Sequence, residues 1–196
     1  FPELCAGKSM AAFKKLLRGL RTVSKHRAFD ALVAHDFKPD LQDVQAWMKE
    51  VYAEDAPDKQ FATLHFGYHA DAPPYGLCFG AYENKPPGRP LCWSFDGEAN
   101  DYAPDESDIL TPFFEVHGKA YKAVSKKIGT PEEVLHLLEE TVPEAYCVAL
   151  AGCLSQRLGE KLLRGNVATR HVIAGHIEMP RVVGKITSKG WQPAIK

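Results

Sequence analysis

The sequence predicts an α+β domain: an antiparallel β-meander extended by a C-terminal hairpin and packed against several amphipathic helices. Three observations carry that reading. Apolar residues recur at helical spacing over 9–52 and 111–162, and they alternate over 61–83 and 91–95. The order of helices, strands, helices, strands also departs from the strand-helix alternation of a parallel sheet. A chain of 196 residues with 45% apolar and 25% charged residues suits a single domain over 1–196 with a real core.

The first helix starts at Ser9 and places Met10, Phe13, Leu16, Leu17 and Leu20 on one face. Lys14, Lys15, Arg18 and Arg21 share the other, giving a basic amphipathic helix. A short second helix uses Phe29, Leu32 and Val33. Asp40 is the expected cap of a third, striped by Leu41, Val44, Trp47, Met48, Val51 and Tyr52 and ended near Pro57.

Three strands follow. Leu64, Phe66 and Tyr68 oppose His65 and Gly67; Leu77, Phe79 and Ala81 oppose Cys78, Gly80 and Tyr82; Leu91, Trp93 and Phe95 form the last set. Proline-rich turns separate them. Glycines within the second strand predict a bulge or a group lying close across it. Thr111-Pro112 then opens a helix that runs to Gly129, and Thr130-Pro131-Glu132-Glu133 has the form of a capping box. A long stripe from Tyr146 through Leu150 and Leu154 to Leu162 ends near Gly165. The tail after Arg170 predicts two strands around Met179-Pro180.

No apolar run approaches the roughly 20 residues that span a bilayer, so no membrane association is expected. Phe1 to Cys5 lacks the basic-then-apolar pattern of a leader. Five cysteines, at 5, 78, 92, 147 and 153, form no framework spacing, which points to reduced thiols and a cytoplasmic setting. The net charge of −1 conceals segments of +5 over 1–35, −10 over 36–108, −1 over 109–141 and +5 over 142–196. An acidic middle of this kind folds against its own basic ends or steers a basic partner.

Most local motifs fail on spacing. Gly7-Lys8-Ser9 lacks the upstream glycine of a phosphate-binding loop, since position 2 is proline. His65 and His69 lie about 13 Å apart along a strand, too far to share a metal, and read as surface or hydrogen-bonded histidines. His171 and His176 fall on opposite faces of a strand. Cys153 lies on an apolar stripe, and His117 on the apolar edge of its helix, both as core residues. Cys78 and His65 can share a face, but the acidic surroundings oppose thiolate formation, so buried inert cysteines are expected. The basic stripe, with Arg170, Arg181, Lys185 and Lys189, comes without a nucleic-acid recognition motif, so nucleic acid is not an expected partner.

What remains is the segment 96–108, with six carboxylates in thirteen residues, next to aromatic side chains. Trp93, Asp96, Glu98, Asp101, Tyr102, Asp105, Glu106 and Asp108 are the expected partner-binding residues. The expected function is non-catalytic: docking of a basic protein partner, as inhibitors and toxin-neutralising immunity proteins do, with no metal or cofactor. The alternative is a small metal-dependent hydrolase built on Asp96 and Glu98, whose alternation at a strand end sets them about 7 Å apart.

Overall fold

Three helices lead the chain, a sheet follows, and a second helical layer closes on the same side of that sheet before the last strands extend it. The computed structural model describes residues 9–54, 56–68, 73–83, 101–102, 108–127, 129–163, 167–176 and 180–194. Among them α1 (Ser9–Ser24), α2 (Ala28–Ala34) and α3 (Phe37–Glu54) precede β1 (Thr63–Tyr68) and β2 (Leu77–Tyr82). The short strands β3 (Asp101–Tyr102) and β4 (Asp108–Ile109) come next, then α4 (Pro112–Ser125), α5 (Glu132–His136) and α6 (Val142–Leu158). β5 (Thr169–His176), β6 (Arg181–Thr187) and β7 (Gly190–Pro193) complete the chain. The α+β class is as the sequence predicts. The strand expected at 91–95 lies outside the described residues.

The strands run in the order β3-β2-β1-β5-β6-β7, with β4 also paired to β2. β1 and β2 are antiparallel, from Thr63 opposite Tyr82 to Tyr68 opposite Leu77. The β5–β6 hairpin extends the sheet as expected, but β5 joins β1 in parallel, with Thr63 opposite His171. The sheet is therefore mixed. β7 continues it with Trp191 opposite Ile186.

One face of the sheet meets the helices. Leu64, Phe66 and Tyr68 join Leu77, Phe79, Val172 and Ala174 in the main apolar core. Phe79 packs against Trp47 and Tyr52 of α3, and Tyr68 against Phe114 of α4. Phe13 and Leu17 of α1 are buried in the same core, as are Phe29 and Leu32 of α2. Truncating any of these aromatics to alanine costs about 3–5 kcal/mol.

The caps differ from expectation in two places. Asp36, not Asp40, caps α3, accepting the Lys38 N–H at 3.1 Å. Asp40 sits one turn in and is fully buried, which frees it for a longer-range role. Thr111 caps α4 as predicted, accepting the Phe114 N–H at 3.3 Å. Thr130 makes no capping box; its hydroxyl donates to the Val124 and Lys127 carbonyls at the end of α4. The long last helix stops at Leu158, where Gly159 takes a φ of +48° and a 3-10 turn carries Leu162 back into the core.

A π-helical turn, Leu137–Thr141, joins α5 to α6. Its cause is Pro143. Proline has no N–H, so it bonds neither the carbonyl four residues back, at Glu139, nor the one five back, at Leu138. Val142 already donates five residues back, to Leu137. Side chains take the two orphaned oxygens: Tyr75 donates its hydroxyl to Glu139 at 3.2 Å, and His117 donates Nε2–H to Leu138 at 2.6 Å.

Candidate functional site

The acidic segment is fixed at two points along the outer edge of β2. At one end Asp101 stands opposite Tyr82 and Tyr102 opposite Ala81. At the other, Asp108 stands opposite Cys78 and Ile109 opposite Leu77. Both strands are two residues long. Trp93, Asp96, Glu98, Asp105 and Glu106 lie outside the described residues, and for Asp101, Tyr102 and Asp108 only the backbone pairing is described. Short acidic strands at a sheet margin also serve a plain structural end, since charge there discourages edge-to-edge pairing with other chains.

From that margin a polar row crosses the whole sheet. Successive pairings align Asp101, Tyr82, Thr63, His171, Lys185 and Gln192. Positions in register share a face, so from Tyr82 onward this row lies on the face turned away from the main core. Tyr82, Cys78 and Ile173 accordingly are buried yet stand apart from that core. The row is acidic at the β2 edge and cationic at Lys185, where a groove is lined by His171, Lys185 and Gln192.

Beside the row, Gly67 brings a thiol and an imidazole together. A Cβ at Gly67 would lie 2.9 Å from His65 Nε2 and 3.0 Å from Cys78 Sγ, so the two atoms are no more than about 6 Å apart. His65 Nδ1 shares a 3.2 Å hydrogen bond with the Tyr82 hydroxyl, and Gly80 stands opposite His65 across the strand pair. Gly67 thus leaves room for the His65 ring, two residues earlier in the same strand, and for the Cys78 thiol of the neighbouring one. A thiol and a base at this separation form the minimal unit of thiol catalysis. Exposure decides against that use: Cys78 is 7% and His65 2% exposed, so no substrate reaches either. His65 is a buried, hydrogen-bonded residue, not a surface one. His69 lies outside the described residues.

Two buried polar centres lie among the helices, and the first escapes sequence reasoning. Asp40 accepts His35 Nε2–H at 2.6 Å, Phe113 N–H at 2.8 Å and the Tyr146 hydroxyl at 2.9 Å, and Tyr146 also reaches Thr111 Oγ1 at 3.1 Å. A carboxylate buried at the start of α4 gains from the helix dipole as well as from these donors. The network ties α3, α4, α6 and the turn before α3 together. The sequence carries one signal for it, two aspartates competing to start one helix.

The second centre is His117, fully buried between the rings of Tyr75 and Phe113 at 5.6 and 6.1 Å. Because Nε2–H donates to Leu138, Nδ1 carries the lone pair, and it has no partner among the described residues. Burial lowers the His117 pKa to about 4, against a smaller opposing effect of the Leu138 carbonyl. Tyr75, buried beside it and near Glu139, is pushed up to about 12. His117 is a core histidine, as its position on the helix predicts.

His171 and His176 pair with Thr63 and Tyr68, placing them on opposite faces. Burial holds the Cys147 thiol well above its ordinary pKa, and Cys78, Cys147 and Cys153 are free thiols. Arg170 is buried and donates to the Pro57 and Asp58 carbonyls, while Arg181 pairs with Glu144. Among the described residues no group of three or more His, Cys, Asp or Glu side chains is arranged to hold a metal ion. No helix among them is long and apolar enough to cross a membrane. No family model, curated protein or solved structure matches the chain.

Proposed function

We propose that the protein is a non-catalytic binding protein that docks a basic protein partner through the acidic segment on the edge of β2. One observation carries the reading: both described ends of the segment are paired onto that edge, at Asp101–Tyr102 and Asp108–Ile109. Pairing holds Asp101–Tyr102 and Asp108–Ile109 in place before binding, so these residues lose less freedom on association than unpaired ones would. Asp101 and Asp108 pair through their backbones at the margin of the sheet. The −10 charge of residues 36–108 supplies attraction over roughly a Debye length, about 8 Å at physiological ionic strength. Such steering speeds encounter more than it deepens affinity.

The function is that of an inhibitor or immunity protein: a small folded body that covers a cationic site on its partner. Cytoplasmic location fits the free thiols. Native mass spectrometry of the untagged protein purified from its own host tests the reading. A stoichiometric second protein that dissociates as salt rises supports it. A bound divalent ion removed by chelator, with no second protein, would instead support a metal-dependent hydrolase at Asp96 and Glu98.

A further inference from the structure

We propose that the groove between α2 and α4 is a second docking site, of opposite sign, for an amphipathic helix of a partner protein whose apolar stripe is flanked by acidic side chains. The groove encloses about 470 Å³. Its floor is apolar and mostly small: Ala28 and Ala31 of α2, and Val116, Ala120, Ala123 and Val124 of α4. Alanines three residues apart on each helix leave a shallow trough in which another helix backbone can come close.

Arg27, Lys119 and Lys127 surround the floor together with His26, and among the described residues no carboxylate lines the groove. Among the described residues none of Arg27, Lys119 and Lys127 forms an ion pair. Cations in the last turn of a helix commonly serve its dipole, and Lys127, just past the end of α4, fits that role. Lys119 stands in the middle of α4 and Arg27 outside it, ahead of α2, so the dipole does not account for their convergence on one trough.

The walls select the occupant. Both are helices, so the trough presents no free strand edge for an extended peptide to pair with, whereas its floor of small side chains admits the close approach of a helix. Lys119 and Lys127 both line the α4 side of the trough, Lys119 within the helix and Lys127 two residues past its last residue, Ser125. A partner helix with acids along its flank faces both while its apolar stripe covers the alanines. This site uses none of the residues of the acidic edge and stands or falls separately from it.

The test is fluorescence anisotropy of the full chain with a labelled amphipathic peptide bearing Leu and Ala on one face and Glu two turns apart on its flanks. A Lys-for-Glu version of the peptide is the control. The acidic peptide binds, more weakly as salt rises, and the basic one does not. Affinity falls at least about tenfold in the Lys119→Glu/Lys127→Glu variant, where two attractions become repulsions, and similarly in Ala123→Trp, which fills the trough from an exposed position. Neutralising Asp101, Asp105, Glu106 and Asp108 leaves this affinity unchanged. Absence of binding, equal binding of the basic peptide, or unchanged affinity in both groove variants would overturn the proposal. So would a salt-sensitive dimer of the chain abolished by the same variants, which would put a second copy in the groove.

Discussion

Replacing Asp40 by alanine removes one carboxylate and takes the acceptor from three donors. The Phe113 N–H has no other acceptor at the start of α4, because Thr111 already serves Phe114 and Glu115. Left unpaired and buried, that group alone costs about 1–3 kcal/mol. Tyr146 keeps Thr111 at 3.1 Å and loses only part of its bonding. His35, with 10% of its side chain exposed, recovers some hydration. The sum is on the order of 3–5 kcal/mol, the range seen when one partner of a buried charged contact is removed. For a chain of this length that lowers Tm by about 10 °C. Asp40→Asn is the informative companion. Its amide oxygen still accepts from Phe113 and Tyr146, and its NH₂ can face His35 if the imidazole changes tautomer, so it costs only about 1–2 kcal/mol. Urea denaturation of both variants, with His35→Ala to complete a cycle, separates the terms. A loss below 1 kcal/mol for Asp40→Ala, or equal losses for Ala and Asn, would refute the network as a determinant of stability.

Two other perturbations follow from the same geometry. His117 is neutral in the fold down to about pH 4 but protonates near 6.5 when unfolded, so its contribution is complete above 6.5 and is lost as pH falls toward 4. The loss is on the order of 3 kcal/mol, and a His117→Gln variant, compared with the parent by denaturant titration at pH 7 and 4.5, is flatter by that amount; equal slopes would contradict the burial of a neutral imidazole. Gly67→Ala puts a methyl 2.8 Å from His65 Cε1 and 3.0 Å from Cys78 Sγ, and moving them costs about 1–3 kcal/mol. Restored stability in the double variant Gly67→Ala/Cys78→Ala would locate the clash, and a stable single variant would disprove it.

What the sequence made legible was local. Thr111-Pro112 and its cap are settled within four residues; α3 buries its whole predicted stripe, and α1 buries Phe13 and Leu17 with Met10, Leu16 and Leu20 partly buried beside them. Contacts between distant segments stayed hidden. Asp40 reads as a helix cap because capping is a local act, whereas its bond to Phe113 spans 73 residues and depends on how α3 and α4 meet. The parallel pairing of β1 with β5 is equally invisible, since alternation fixes a strand's faces but not its neighbour. Glycines of the second strand predict a close approach, whereas the approach to His65 and Cys78 lies at Gly67 of the first. The π turn before Pro143 stayed hidden too, since the groups that take its orphaned carbonyls, Tyr75 and His117, come from distant segments. Of the candidate docking segment, the fold positions the two ends by register and the sequence alone supplies the charge between them.

The most direct test of the acidic edge is the association rate with the co-purified basic partner, measured by stopped flow across ionic strengths. The comparison is between the native chain and Asp101→Asn/Asp105→Asn/Glu106→Gln/Asp108→Asn. Docking through this edge predicts that the native rate falls steeply with salt, and that the variant associates on the order of tenfold more slowly at low salt with a flatter dependence. Identical rates and identical salt slopes for the two proteins would contradict it.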